Sequence, residues 1–274
     1  MPAEARRSAL PLAELLDGIV QRPDGGVRVT DVTLDSRAVT AGALFLACRG
    51  RARHGVEFVE AAVAAGAAAV LWESGEGVAA PRVPADVVAY AVPDLVRHVG
   101  TIADRFFGSP SAALSVTGVT GTNGKTTTAF VLAQALEACG EPSGYSGTLG
   151  FGRTRALRSA THTTPDCVSL HRQLADARGM GLRNVAMEVS SHALDQGRVA
   201  AVRFRSAIFT NLTRDHLDYH ATMDAYGAAK ARLFATPGLE HRVINVTDAF
   251  GRELAARRHD SGTLIAVATE PVIP

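Results

Sequence analysis

Lysine is almost missing from this chain. Of its 28 Lys and Arg residues, 26 are arginine, and the two lysines are Lys125 and Lys230. A composition this biased uses guanidinium wherever bulk positive charge will do, so a retained lysine points to chemistry that needs an amine. Drift in base composition is the alternative, and it would leave lysines anywhere. Cysteine is scarce too: Cys48, Cys139 and Cys167 lie far apart with no C-x-x-C pair. That excludes a disulfide framework and predicts reduced thiols in a cytoplasmic protein, buried as small apolar side chains. Excess charge is missing as well. The formal net charge is +1 and no basic run occurs, which argues against general nucleic-acid binding. No apolar window approaches a membrane span. Glu4, Glu14 and Asp17 interrupt Met1 to Val20, so no leader segment is expected. Repeats and low-complexity tracts are absent apart from alanine enrichment.

What is present is a globular composition, 47% hydrophobic and 20% charged over 274 residues, enough for about two domains. Apolar strand runs are expected at Val27–Leu34, Ala43–Cys48, Ala67–Trp72 and Val87–Val92. Helices are expected at Leu10–Ile19, Glu57–Ala65 and from a capping Asp94 to about Phe107. This alternation predicts a small α/β domain over residues 1–108, and Gly108-Ser109-Pro110 marks the boundary. A second unit, 109–274, starts with strand Ala113–Val119 and helix Lys125–Cys139. After a polar stretch come helix Leu170–Arg178, strands Asn184–Val189 and Arg205–Thr210, helix Thr222–Phe234, strand Arg242–Val246, helix Asp248–Arg258 and strand Thr263–Val267. Together these predict an α/β fold with a doubly wound, mostly parallel sheet.

Between the first strand and helix of that unit lies Gly118-Val119-Thr120-Gly121-Thr122-Asn123-Gly124-Lys125-Thr126-Thr127. Glycines let backbone N–H groups approach phosphate oxygens, and the helix N-terminus adds partial positive charge. Lys125 would neutralise the β and γ phosphates of a nucleotide, and Thr126 would offer a hydroxyl to Mg²⁺. The strict G-x-x-x-x-G-K-[ST] spacing requires glycine where Val119 stands, so this is a variant loop.

Four further strings accompany it: Met187-Glu188-Val189-Ser190-Ser191-His192-Ala193-Leu194, Thr210 to His220 (TNLTRDHLDYH), Tyr226-Gly227-Ala228-Ala229-Lys230, and Thr163-Thr164-Pro165. With the phosphate loop and Asp35-Ser36-Arg37, they resemble the Mur ligase family, of the MurE type. The resemblance spans nearly the whole chain. It implies a cytoplasmic, monomeric, ATP- and Mg²⁺-dependent amide ligase of peptidoglycan synthesis. Such an enzyme activates the free carboxylate of UDP-N-acetylmuramoyl-L-alanyl-D-glutamate as an acyl phosphate, which the amine of a diamino acid (diaminopimelate or lysine) then attacks. Phosphorylation supplies the leaving group that a carboxylate lacks, and cations must offset the repulsion between two anions.

The resemblance also implies roles. Gly121, Thr122, Asn123, Gly124, Lys125, Thr126 and Thr127 would hold the triphosphate. Thr126, Glu188, His216 and Lys230 would hold Mg²⁺, the last as a carbamate, a bidentate anion that arginine has no amine to form. Lys125 and Lys230 would be the catalytic pair. Leu34 and Ser36 would contact uridine, while Thr163, Thr164, Ser190, Gln196 and Arg198 would contact the muramoyl peptide. His192 and His220 are expected to be structural or supporting groups. Blander readings stay open: a helix cap for Glu188, a turn-satisfied histidine for His216, turn chemistry for Ser36, a strand end at Thr163-Thr164, and a surface charge for Arg198.

The chain departs from the family pattern in three places. Arg51-Ala52-Arg53 replaces a usual His-Gln-Ala, leaving two arginines that can meet a pyrophosphate. His162 stands where asparagine commonly precedes Thr-Thr-Pro. The chain ends at Pro274, so the expectation is an incomplete ATP domain, no C-terminal ligase domain, an unreadable choice of third amino acid, and weak or no ligase activity for this chain alone. The competing expectations are a non-catalytic paralogue that binds nucleotide or UDP-sugar peptide, and a Mur-fold ligase with another acceptor.

Overall fold

The structure, a computed structural model, describes residues 9–50, 52–159, 162–257 and 261–268. The chain divides into two compact units, Met1–Gly108 and Ser109–Pro274.

In the first unit, strand β1 (Leu10–Pro11) leads into a single helical turn, α1 (Leu12–Leu15), and pairs antiparallel with β2 (Arg28–Val29). The expected helix Leu10–Ile19 is therefore reduced to one turn that buries Leu12 and Leu15, with Gly18 in left-handed backbone (φ 70°) beyond it. The expected strand Val27–Leu34 splits, with β3 (Asp31–Thr33) turning into a separate sheet. That sheet is parallel, in the order β3, β4 (Ala43–Ala47), β5 (Ala69–Ser74), β6 (Val88–Pro93). Every residue of β4 is buried, as a parallel strand covered on both faces requires. Helix α2 (Val59–Ala64) contributes Val59 and Ala62 to a core with Phe45, Ala47 and Val70. Helix α3 (Leu95–Phe106) buries Leu95, Val99, Ile102, Ala103 and Phe106, one stripe at helical spacing. Asp94 holds the N-cap position but does not cap it. Its backbone is left-handed (φ 49°), and its carboxylate lies beside Arg97 instead.

In the second unit, an eight-stranded sheet begins with β7 (Ser115–Thr120), followed by helix α4 (Lys125–Ala138). Next come β8 (Ser143–Gly147), β9 (Gly150–Arg153), β10 (Ala156–Arg158), helix α5 (Cys167–Gly179), β11 (Asn184–Glu188), helix α6 (Ser191–Asp195) and β12 (Ser206–Phe209). Helices α7 (Leu217–His220) and α8 (Met223–Ala231), β13 (His241–Asn245), α9 (Ala249–Ala256) and β14 (Thr263–Val267) complete it. The spatial order is β10-β9-β8-β11-β7-β12-β13-β14, parallel from β8 to β14, with β9 and β10 as an antiparallel edge. The expected polar stretch after Gly140 is thus three strands. Ser143-Gly144-Tyr145-Ser146-Gly147 carries no apolar run, yet it is buried because the backbone approaches its neighbours closely. A Cβ on Gly144 would stand 2.6 Å from Leu182 Cδ1.

The sheet faces divide the core. Val116, Val185, Met187 and Phe204 pack with Leu170, Leu174 and Leu233 on one face. Val119, Tyr145 and Ala186 pack with Ala129 and Ala133 of α4 on the other. Cys167 is buried, as expected, and burial pushes its thiol up to about 12, whereas Cys48 is half-buried and Cys139 exposed. Among the described residues, no helix is long and apolar enough to cross a membrane.

Candidate nucleotide and cation site

Strand β7 sits where the order of connections reverses, with β11 on one side and β12 on the other. Ligands of doubly wound sheets collect at the carboxyl ends of such strands. The loop Gly121–Gly124 leaves β7 there. At Gly121 (φ 153°) a Cβ would overlap Thr210 Oγ1 at the end of β12, so only glycine fits. Gly124 (φ 82°) is the N-cap of α4, and no side chain caps that end. The fourteen-residue helix therefore presents its first N–H groups and the positive end of its dipole to the loop.

The segment after β12 braces the loop. Thr122 N donates to Asn211 O (2.9 Å), Asn123 N to Asn211 Oδ1 (3.0 Å), and Thr210 Oγ1 to Asn123 O (2.6 Å). Thr122 Oγ1 accepts from Thr213 N (3.0 Å) and from Tyr226 OH (3.3 Å). Asp248 accepts from Leu212 N (2.8 Å) while capping α9 through Gly251 N (2.6 Å). None of these partners was assigned a role from sequence. Asn211 and Thr213 lie inside a string that marked the family, but their bonds to the loop depend on β12 lying beside β7.

Both lysines converge on the loop. Lys125 Nζ donates to Gly121 O and Thr122 O, each at 2.9 Å. Burial lowers its pKa, against the pull of Glu188 and Asp215. Lys230 is 1% exposed; its Nζ donates to Gly121 O (2.8 Å) and lies 4.2 Å from the centre of the Tyr226 ring. Burial, aided by the charge of Lys125, brings its pKa down to about 7.

Glu188 ends β11 on the face it shares with Ala186 and α4. It does not cap a helix: Ser190 caps α6, accepting from Ala193 N (3.1 Å). Its Oε2 accepts from Thr126 Oγ1 (2.8 Å), and its Oε1 accepts from Tyr145 OH and from Thr148 N (2.8 Å). A hydroxyl beside a carboxylate is an all-oxygen donor pair suited to a hard cation that keeps waters and phosphate oxygens as further ligands, so these residues fit Mg²⁺. His216 stands at the N-cap of α7 with left-handed backbone (φ 52°). Its N–H donates to Asp215 Oδ1, and its ring lies 5.9 Å from Tyr226 and 4.9 Å from His192. Among the described residues, no group of three or more His, Cys, Asp or Glu side chains is arranged to hold a metal.

The residues expected from sequence to contact the muramoyl peptide form a second network. Thr164 Oγ1 donates to Glu188 O (3.0 Å) and accepts from Ser190 N (3.2 Å). Arg198 donates to Thr164 O (3.0 Å) and forks onto Gln196 Oε1 (2.9 and 2.6 Å). Thr163 is tied to Thr148 through their hydroxyls (3.0 Å), and Gln196 reaches Tyr219 OH (3.1 Å). Arg198 is thus bonded into the site and is not a free surface charge. His220 pairs with Ser191 Oγ (3.0 Å), and His192 packs among the rings of His216, Tyr219 and His220. Thr127 and His162 are exposed.

In the first unit, Leu34 and Ser36 are half-buried at the end of β3. The turn there is made by Asp35, whose carboxylate accepts from Arg37 N (3.0 Å) and pairs with the Arg37 guanidinium (2.7 Å). Arg51 lies outside the described residues. Arg53 pairs with Glu57 (2.8 Å) and covers the Phe58 ring at 4.4 Å.

The Mur ligase middle domain matches residues 119–270, more than half of the chain. The chain belongs to the Mur ligase family. The family's catalytic domain also matches residues 28–107. Two curated relatives named UDP-N-acetylmuramoyl-L-alanyl-D-glutamate--2,6-diaminopimelate ligase share high identity. The one from Ectopseudomonas mendocina (strain ymp) is 54% identical over 252 residues, covering 92% of this chain and 50% of that protein. The one from Pseudomonas aeruginosa is 50% identical over 246 residues, covering 90% and 50%. The chain thus spans about half the length of the curated relatives it matches. A solved ligase of the same name superposes with a TM-score of 0.81 at 31% identity, covering 96% of this chain and 53% of that one. A solved Acinetobacter baumannii MurF, at 19% identity and TM-score 0.67, shares the fold.

Proposed function

We propose that this Mur ligase chain carries the nucleotide and UDP-sugar-peptide machinery of a MurE-type ligase. The reaction is the ATP-dependent joining of a diamino acid to UDP-N-acetylmuramoyl-L-alanyl-D-glutamate through an acyl phosphate. The names of the relatives favour diaminopimelate as that amino acid. The observation that carries the reading is the convergence of Lys125, Lys230 and, through Thr126, Glu188 on one loop.

ATP with Mg²⁺, when bound, would supply the phosphoryl group and offset anionic charge at the acyl centre. The chain's own residues do the rest. The open N-terminus of α4 and Lys125 would hold the triphosphate, whose oxygens would replace the Gly121 and Thr122 carbonyls on the lysine. Thr126 and Glu188 would hold the cation, with His216 at the N-cap of α7 as the further ligand that the resemblance implies. Lys230, with a pKa near 7, is substantially unprotonated at neutral pH. Its nitrogen lone pair would attack dissolved CO₂, forming an N–C bond while one C=O electron pair moves to oxygen and a proton passes to water. The resulting carbamate would offer two anionic oxygens toward the cation. Thr163, Thr164, Ser190, Gln196 and Arg198 would position the muramoyl peptide, and Leu34 and Ser36 of the first unit would take the uridine. The closed Arg53–Glu57 pair must open if Arg53 is to meet a pyrophosphate.

The test is calorimetric titration with ATP, with and without Mg²⁺, joined to ¹³C NMR in labelled bicarbonate. Mg²⁺-enhanced nucleotide binding and a carbamate resonance missing from Lys230→Arg are expected. A chain that binds no nucleotide under either condition would overturn the reading.

A further inference from the structure

Tyr145 is a buried phenol that no feature of the phosphate-loop motif calls for. It lies in the middle of β8, 0% exposed, its ring edge-on to Phe130 of α4 at 5.5 Å. Register sets it beside Ala186 of β11, and Ser146 beside Met187. Glu188, one residue further along, is thereby level with Gly147. The phenol donates to Glu188 Oε1 and accepts from Leu149 N (3.3 Å). Gly147 completes the pocket, since a Cβ there would overlap both Glu188 Oε1 and Tyr145 OH. Two donors, Tyr145 OH and Thr148 N, therefore occupy Oε1, while Oε2 accepts from Thr126 Oγ1 (2.8 Å) and, at longer range, from Thr148 Oγ1 (3.4 Å).

We infer that Tyr145 is a positioning residue for the cation site: it pins Oε1 of Glu188 so that the carboxylate presents Oε2 alone beside the Thr126 hydroxyl. The physical reason is rotational. A glutamate at a strand end has three side-chain torsions, and unheld it would swing between one-oxygen and two-oxygen presentation. A buried phenol on one oxygen removes that freedom before the cation arrives. Groups that orient a ligand in this way commonly change metal affinity by about 10–100-fold.

This inference rests on the proposed nucleotide reading, and the experiment separates the two. ATP affinity of the full chain is measured by calorimetry with Mg²⁺ and with EDTA, for the parent, Tyr145→Phe and Gly147→Ala. Tyr145→Phe keeps the ring against Phe130, so thermal melting is expected to change little. Its metal-free ATP affinity should stay within about twofold, while its Mg²⁺-dependent affinity falls about tenfold. Gly147→Ala retains Tyr145 in the chain but crowds both its OH and Glu188 Oε1 and so breaks their bond; it should lose the same Mg²⁺-dependent part, and it serves if Tyr145→Phe fails to fold. If the parent binds ATP more tightly with Mg²⁺ and both folded variants do so equally well, this inference falls and the nucleotide reading stands. Equal loss with and without Mg²⁺ would assign Tyr145 a purely structural role and overturn the inference. A parent that binds no ATP overturns both.

Discussion

The amine of Lys230 donates to the carbonyl of Gly121 across 2.8 Å, joining residues 109 apart in sequence. Among the described residues, no carboxylate lies within ion-pair distance of it. The lysine is therefore a buried amine whose Nζ meets a loop carbonyl and the face of Tyr226.

Stability should report this directly. Unfolded lysine holds its proton to about 10.5, while Lys230 releases it near 7. The folded state binds fewer protons between those values, so stability rises with pH across that window and is flat below it. Lys230→Met removes the penalty. The variant should be more stable than the parent at pH 7 by on the order of 2 kcal/mol, and the advantage should shrink toward pH 10. Thermal melts across that range check it; an advantage that grows with pH would contradict the assignment.

Gly121→Ala should cost roughly 2–4 kcal/mol, from overlap with Thr210 Oγ1 together with unfavourable backbone. Gly140→Ala is the comparison. Its φ is also positive (83°), but nothing lies within 4 Å of the added carbon, so only backbone strain of about 1 kcal/mol applies. Urea unfolding of both variants measures the difference.

Asp248→Ala removes the cap of α9 and the acceptor for Leu212 N together. A loss of about 1–2 kcal/mol is expected. Because the 211–213 segment braces the phosphate loop, ATP affinity should fall as well. Asp248→Asn keeps one acceptor oxygen where two are used, so it should recover only part of the loss, the α9 cap or the Leu212 bond but not both.

Arg198→Ala releases the Thr164 carbonyl and the Gln196 amide. Hydrogen exchange at residues 163–166 should quicken, with a stability loss of about 1–2 kcal/mol. Arg198→Lys has no fork with which to hold both partners, so it should restore only part of the protection.

Much of this was legible in the chain itself. The phosphate loop, the strand ending at Glu188 and the alternation of β7, α4, β11 and β12 follow from local apolar runs and glycine placement. The helices α6 and α7 did not show, being one turn each and held by neighbours more than by their own residues. Strands β8 to β10 were hidden because Gly, Ser and Tyr at Ser143–Gly147 supply no apolar pattern, their burial coming from close backbone approach. Asp94 read as a cap, but its left-handed backbone turns the carboxylate toward Arg97.

The amino-acid order alone determined that two amines survive among arginines, one in a phosphate loop and one on a helix, because residue type and spacing are local properties. Tertiary structure decided that both amines share Gly121 and that Tyr145 holds Glu188 from 43 residues away. The first contact needs α8 to bring Lys230 to the loop, and the second needs β8 and β11 paired in register; both join segments far apart in sequence, which local residue patterns do not specify.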